Sequence, residues 1–505
     1  MPKHPDWYFR IREQTGRREA WHEDSGLPTE RLLQAIWMHQ RILRDQLQTC
    51  DGRRLEVLHP GFPRPEGGPD FEKALFRVDG GPVQEGDVEV DIHARGWRDH
   101  GHDLSPRFAR VLLHVVWESG DPDANTLAVS GPGRQPPFTL ALKDRLDAPL
   151  EELLLWLDRG EATVWPEALR GACHAPLTRL PPGELEAVLE EAGLARFEAK
   201  LLHFQARARA VGWEQALWEG LFRGLGYKHN TWPMQWLAER RHRWWEPGMA
   251  AETLQARLLG LSGLLPEETR SLPPDSARFL RKLWDIWWRD RGPLADCCLP
   301  RNAWRLHGVR PANHPERRLA LAAYWLAEPD WVRRIEQWGT LDLPASALVP
   351  TLLQRMQPGA RAFWSRHWTL RSGSSTESEG WIGAARVTEL AVNVVLPWLG
   401  ARARAAGHDA LWERVRQRYL SWPSAADNAA FRLARQRLLG GRPLRGSSAR
   451  AALQQGLIQI LRDFCDHANA RCEGCPFPAA LEARGGSVPE NGQPAAFRRG
   501  SGPAR

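Results

Sequence analysis

What the chain lacks narrows its class before any motif is read. No segment approaches the roughly 20 uninterrupted apolar residues that a membrane-spanning helix needs. The opening residues, MPKHPDWYFRIREQTGRRE, hold no apolar core of a secretory signal. Both absences predict a soluble, cytoplasmic protein with no membrane partner. Cysteine is scarce and unevenly placed, seven in 505 residues, which argues against a disulfide scaffold and leaves metal ligation or incidental thiols. Lysine stops at Lys282, so the basic residues are nearly all arginine; together with 26 tryptophans this reads as coding bias rather than as a functional signature. No glycine-rich phosphate loop, GxSxG elbow or HExxH zinc motif occurs, and no fixed period makes the chain a solenoid.

What is present suffices for a large core: 42% of the residues are hydrophobic, and the length suits more than one domain. A net charge of +7 permits nucleic acid as a partner without requiring it. Residues 1–27 are polar. Pro28 opens an amphipathic pattern to about Gln48, with Leu32, Leu33, Ile36, Trp37 and Ile42 at helical spacing. Strand patterns follow at Leu55–Leu58, Ala74–Asp79, Asp87–Ala94, Arg110–Trp117, Thr126–Ser130 and Phe138–Lys143, with a short helix around Ser105–Ala109. Helical periodicity dominates beyond residue 150, as in Glu184–Val211, Glu214–Leu225, Ala277–Arg289 and Ala384–Ala405. The expected class is α+β: a mixed α/β domain over 28–150, then a large all-α domain over 151–478. The tail, 479–505, has too little apolar content to fold and is expected to be disordered.

The chemistry gathers between His59 and Trp117. Alternation places Val88, Val90 and Ile92 on one side of a strand and Asp87, Glu89, Asp91 and His93 on the other. Asp70 lies upstream, and His100, His102 and His114 lie downstream. Three acids and a histidine on one strand face make a poor core and a good metal or acid–base site. The bland alternative makes Trp97–Asp103 a turn whose histidines bond backbone, and His114 a satisfied core residue between Leu113 and Val115.

These pieces also carry a family resemblance. GPDF at Gly68–Phe71, GDVEVDIHARGW at Gly86–Trp97, HGHD at His100–Asp103, VLLHVVW at Val111–Trp117, GLGYKHN at Gly224–Asn230, VRPANHPERRLA at Val309–Ala320 and GLIQILRDFCDHANARCEGCP at Gly456–Pro476 resemble an uncharacterised bacterial family, domain of unknown function 2851 (DUF2851). Members usually carry His at the position of Asp91 and often Lys at that of His93. The family has no assigned activity, so the resemblance implies none.

On a smaller scale, Asp70 after Pro69, and Glu89-Val90-Asp91, resemble the PD-(D/E)XK nuclease arrangement. That resemblance implies a nuclease-like core in which Asp70 and Glu89 hold Mg²⁺ or Mn²⁺ for phosphodiester hydrolysis. Asp91 stands where the lysine is expected, so His93 is the expected base, and Glu56 could add another acid. Two alternatives remain open. One is a metal-dependent hydrolase of another class, using the histidines for Zn²⁺ or Fe²⁺. The other is a scaffold or nucleic-acid-binding protein without catalysis.

Two motifs lie outside this stretch. Cys465, Cys472 and Cys475 have chelating spacing and are expected to bind Zn²⁺ or an iron–sulfur cluster, with Cys173 or Cys298 as the fourth ligand and His467 as another candidate. An upstream cysteine joined to three C-terminal ones resembles the iron staple of some PD-(D/E)XK nucleases, with different spacing. Arg310, Arg317 and Arg318, in RPANHPERR, could grip nucleic-acid phosphates. They could equally form an arginine–carboxylate network fastening this turn to the first domain.

Overall fold

The computed structural model describes residues 7–12, 27–64, 67–103, 105–118, 136–150, 153, 170–227, 229–268, 272–358, 363–375, 380–444, 449–465, 472 and 474–485. It is a mixed α+β structure, with a sheet in the N-terminal part and helices after it. The expected strand Thr126–Ser130, most of the tail and His467 lie outside the described residues.

Helix α1 (Glu30–His39) turns Leu32, Leu33, Ile36 and Trp37 into the core. It is shorter than the amphipathic pattern to Gln48 suggests. Gln40 adopts a left-handed conformation (φ 50°) and its side chain donates to Trp37 O at 2.6 Å, which ends the helix. The chain then runs extended, bridging Ile42 to Leu146, so Ile42 reaches the same core by a different route.

The sheet contains β1 (Leu55–His59), β2 (Phe62–Pro63), β3 (Phe71–Val78), β4 (Gln84–His93), β5 (Val111–Glu118) and β6 (Phe138–Ala141). Its order is β1-β3-β4-β5-β6, with β2 on β3. The pairs β1/β3 and β3/β4 are antiparallel, whereas β4/β5 and β5/β6 are parallel. A parallel pair needs a crossover. Among the described residues, the β4–β5 crossover contains helix α2 (Gly96–Asp99) and a 3-10 turn, Pro106–Phe108.

Alternation then sorts the two faces. Val88 and Val90 of β4, with Leu113, Val115 and Trp117 of β5, join α1 in one core. Asp87, Glu89 and Asp91 occupy the opposite face, and the crossover returns over it, with Trp97 packed on Val111 and Phe108. A hairpin bulge between Phe71 and Ala74 sets the register of β3 against β4; there Lys73 takes φ 57° and its N–H donates to Asp87 Oδ1 at 3.0 Å.

In the helical part, the helix Pro182–Val211 is crossed by Ala451–Phe464 at backbone distance. A Cβ at Gly456 would lie 2.0 Å from Leu189 O, and one at Gly193 would lie 2.3 Å from Ala452 O. The stretch predicted as one helix at Ala384–Ala405 is continuous but contains a π turn, Ala391–Val395, just before Pro397. Pro397 offers no N–H to the ladder, which accounts for the local widening. The sheet and the helices are joined by direct contacts: Trp232 Nε1 donates to Leu58 O at 2.6 Å, and Arg41 Nε donates to Asp147 Oδ1 while its guanidinium meets His203.

Candidate functional site: an acidic strand face under a histidine crossover

The register Phe71↔Val88 brings the residue before β3 opposite Glu89. Asp70 N–H donates to Glu89 Oε2 at 3.1 Å, and Val90 N–H donates to Asp70 Oδ2 at 3.0 Å. The two carboxylates predicted from sequence are therefore adjacent. Asp91, two residues on, points from the same face and is almost fully buried. Its Oδ2 lies 2.8 Å from His114 Nε2, and its Oδ1 lies 3.3 Å from Nδ1 of His100. His102 Nδ1 stands 3.5 Å from Glu89 Oε1.

Each of these positions has a local cause. The parallel register sets Glu89 beside His114, so the histidine that could have been plain core becomes a partner of Asp91. The crossover carries His100 and His102 over the strand. Trp97 holds it there, edge-on to His102 at 5.6 Å and tilted on His114 at 5.5 Å, while Phe108 stacks on His102 at 3.9 Å. Gly96 allows the close seating of α2, because a Cβ there would meet Asp91 Oδ1 at 2.8 Å.

Helix α1 supplies two further residues that motif reading passed over. Gln34 Nε2 donates both to Asp70 Oδ1 at 2.8 Å and to Glu30 Oε1 at 3.0 Å. Glu30 and Gln34 are an i, i+4 polar pair on a helix whose buried face is apolar. That spacing was the available signal.

The electrostatics are those of crowded acids. Burial raises the Asp70 and Glu89 pKa values, and nearby carboxylates raise them further: Glu30 and Asp91 act on Asp70, Asp70 and Asp91 on Glu89. Glu30 is raised as well, first by burial and then by Asp91. Among the described residues, no lysine or arginine is ion-paired with any of these four acids. His102 is shifted the other way, because burial disfavours its charged form. His102 Nδ1 and His114 Nδ1 are buried, with no hydrogen-bond partner among the described residues.

Such a set is short of positive charge and rich in neutral or anionic donors. One ligand atom from each of Asp91, His100 and His102 lies within 4.8 Å of the other two. Carboxylates with imidazoles suit Mn²⁺, Zn²⁺ or Fe²⁺, and the Asp70–Glu89 pair alone suits Mg²⁺ or Mn²⁺.

The remaining expected residues lie apart. His93, at the end of β4, is half-buried and, among the described residues, makes no hydrogen bond or ion pair with the acids. It pairs in register with Glu118, so the role of base expected for it is not supported by position. Glu56 faces away and is paired with Arg77 at 3.0 Å and Arg240 at 3.5 Å. The phosphate grip expected of Arg317 and Arg318 is corrected outright. Arg317 donates to the carbonyls of Trp364, His367 and Gly380, and Arg318 to that of Trp381 and to Asn313 Oδ1. Both are buried, so neither can reach a nucleic-acid backbone. These acceptors are backbone carbonyls and one side-chain amide oxygen. Arg310 is exposed.

A family model described as "Protein of unknown function (DUF2851)" matches residues 30–428. No curated protein and no solved structure matches the chain.

Proposed function

The chain belongs to the DUF2851 family, whose description assigns no activity, and from the geometry of the acidic face we propose that it is a divalent-metal-dependent hydrolase acting on the phosphodiester bonds of nucleic acid. The observation that carries the reading is the hydrogen-bonded adjacency of Asp70 and Glu89 on antiparallel neighbours, with Asp91 two residues further along the same face. A helix, a meander of antiparallel strands, a crossover and a parallel strand surround this pair, which resembles the PD-(D/E)XK core. A bound divalent ion would polarise a phosphoryl oxygen and lower the pKa of its water. Asp70 and Glu89 would hold the ion, and Gln34 would fix the Asp70 carboxylate. The lysine of that arrangement is absent, and His102, beside Glu89 and with its charged form disfavoured by burial, replaces His93 as the group positioned to accept a proton from water.

A second reading is favoured by a specific feature, the convergence of Asp91, His100 and His102. These residues would hold Zn²⁺, Mn²⁺ or Fe²⁺ in a hydrolase of another class. No membrane partner is invoked: among the described residues, no helix is long and apolar enough to cross a membrane.

The test is cleavage of labelled single- and double-stranded DNA and RNA by the full chain, with Mg²⁺, Mn²⁺ or Zn²⁺ supplied in turn. Mg²⁺- or Mn²⁺-dependent cleavage that falls at least about a hundredfold in Asp70→Asn and Glu89→Gln supports the nuclease reading. Zn²⁺-dependent hydrolysis lost in His100→Ala and His102→Ala supports the second. Nucleic acid bound tightly and never cut would overturn both in favour of a binding protein.

A further inference from the structure

Cys173 and the C-terminal cysteines Cys465 and Cys472 gather at one buried arginine, with Cys475 on the next turn of chain. Cys173 precedes the helix His174–Arg179, Cys465 ends the helix Ala451–Phe464, and Cys472 and Cys475 lead into the helix Pro476–Gly485. Arg437, in the helix Ala429–Leu439, donates through Nε to Cys465 Sγ at 3.4 Å and through Nη2 to Cys472 Sγ at 3.3 Å. Ala172 N–H donates to the same Cys472 sulfur at 3.2 Å. Cys173 Sγ lies close to this group: the Cβ that Gly171 lacks would lie 3.2 Å from that sulfur and 3.6 Å from Arg437 Nε. Gly474, at φ 71°, makes the turn between Cys472 and Cys475. Cys475 N–H donates to Cys472 O at 3.3 Å, which keeps these two thiols on one turn.

From this convergence we propose that Cys173, Cys465, Cys472 and Cys475 bind one [4Fe–4S] cluster, with Arg437 donating hydrogen bonds to two of its thiolates. Cys298, the other candidate for fourth ligand, lies elsewhere and donates to Leu294 O at 3.5 Å.

Spacing selects a cluster over a single zinc ion. Four thiolates at about 2.3 Å from one zinc stand only about 3.8 Å apart. Among the described residues, no three of these sulfurs lie within 4.8 Å of one another. A cubane holds its cysteines outside four iron corners and so accepts the wider set. Charge agrees with this choice. Four thiolates leave a cluster site net negative, and one buried guanidinium with a backbone N–H donated to sulfur offsets part of that charge; both kinds of contact tune cluster potential. The site also joins segments far apart in the chain. Phe464 and Phe477, flanking the cysteines, stack at 4.5 Å and pack against Tyr8, whose hydroxyl donates to Asp463 at 2.8 Å. The centre therefore fastens the N-terminal segment and the last helix to the helical body. It does not depend on the reading of the acidic face.

The test is iron, acid-labile sulfide and zinc analysis, with a visible spectrum, on the full chain purified without oxygen. About four irons and four sulfides per chain are expected, with a broad visible band. Both should be lost in Cys173→Ala and Cys472→Ser and retained in Cys298→Ala. Cys472 is only half-buried, so an unchanged far-ultraviolet circular dichroism spectrum in Cys472→Ser separates loss of the cluster from loss of fold. Removing iron from the wild-type chain with chelator and oxidant should leave the helix signal in place while trypsin gains access to residues 474–485. Zinc without iron, absence of any metal, or full iron content in Cys173→Ala would each overturn the proposal.

Discussion

Gly96 and Asp91 approach so closely that a single methyl group does not fit between them: a Cβ at residue 96 would stand 2.8 Å from Asp91 Oδ1 and 3.2 Å from Asp91 Cβ. Asp91 is buried and held by His114, so it has little room to move. Gly96→Ala should therefore shift α2 and carry His100 and His102 away from the acids. The expected result is a folded protein about 1–3 kcal/mol less stable, with at least about tenfold weaker Mn²⁺ or Zn²⁺ binding by calorimetry. Unchanged affinity would mean that the crossover does not contribute ligands.

The crowded carboxyls predict an unusual dependence of stability on pH. Burial and neighbouring acids hold the folded Asp70 and Glu89 pKa values above their unfolded values of about 4. The unfolded chain thus gives up these protons at lower pH than the folded chain does. Their contribution to stability is fully present below about pH 4 and is lost as pH rises through the folded values. Metal-free protein should accordingly unfold at lower urea at pH 8 than at pH 5.5. Glu89→Gln should flatten that trend and gain on the order of 1–2 kcal/mol at pH 8. Added Mn²⁺ should stabilise the wild type and not the variant. A variant destabilised equally at both pH values would contradict this account.

The acidic face was legible because strand alternation is a local property: one apolar phase of β4 fixes where Glu89 and Asp91 must point. Asp70 could be paired with Glu89 because only a hairpin separates them. His114 could not be read in the same way, since its place beside Asp91 depends on the register of a parallel strand reached through a crossover. His93 was overvalued for a related reason. Alternation gives the side of the strand but not how far along it the site extends. Spacing likewise suggested three cysteines, while the choice between Cys173 and Cys298 depended on how distant helices pack.

Arg317 shows how an arginine motif can carry structure in place of function. Its guanidinium gathers the carbonyls of Trp364, His367 and Gly380 and lies 4.5 Å from the centre of the Trp368 ring. Arg317→Ala leaves the Trp364 and His367 carbonyls buried without this donor, at a cost of about 3–5 kcal/mol in urea unfolding. Lysine cannot span three acceptors with one ammonium, so Arg317→Lys should recover only part of the loss. Arg310→Ala, on the surface, should stay within about 0.5 kcal/mol of the wild type. If nucleic-acid binding fell in Arg317→Ala with stability unchanged, the structural assignment would fail.

The crossing of Pro182–Val211 and Ala451–Phe464 makes the most severe prediction for the fold. At Gly456 the added carbon would meet backbone, Leu189 O at 2.0 Å, and no rotamer change can relieve that contact. Gly456→Ala must push two helices apart. Ala451–Phe464 is lined by Leu453, Leu457, Ile460 and Leu461, all buried, so separation opens apolar surface along several turns. A loss exceeding about 3 kcal/mol is expected, against a gain near 1 kcal/mol for the same change in an unhindered helix. Because Cys465 ends this helix, the same substitution should also lower iron content if the four cysteines bind a cluster. Gly183→Ala, where an added Cβ meets nothing within 4 Å, is the matched control and should be neutral or stabilising. Thermal unfolding and iron analysis of the two variants separate the outcomes: destabilisation with full iron would place the cysteine centre outside the reach of this crossing.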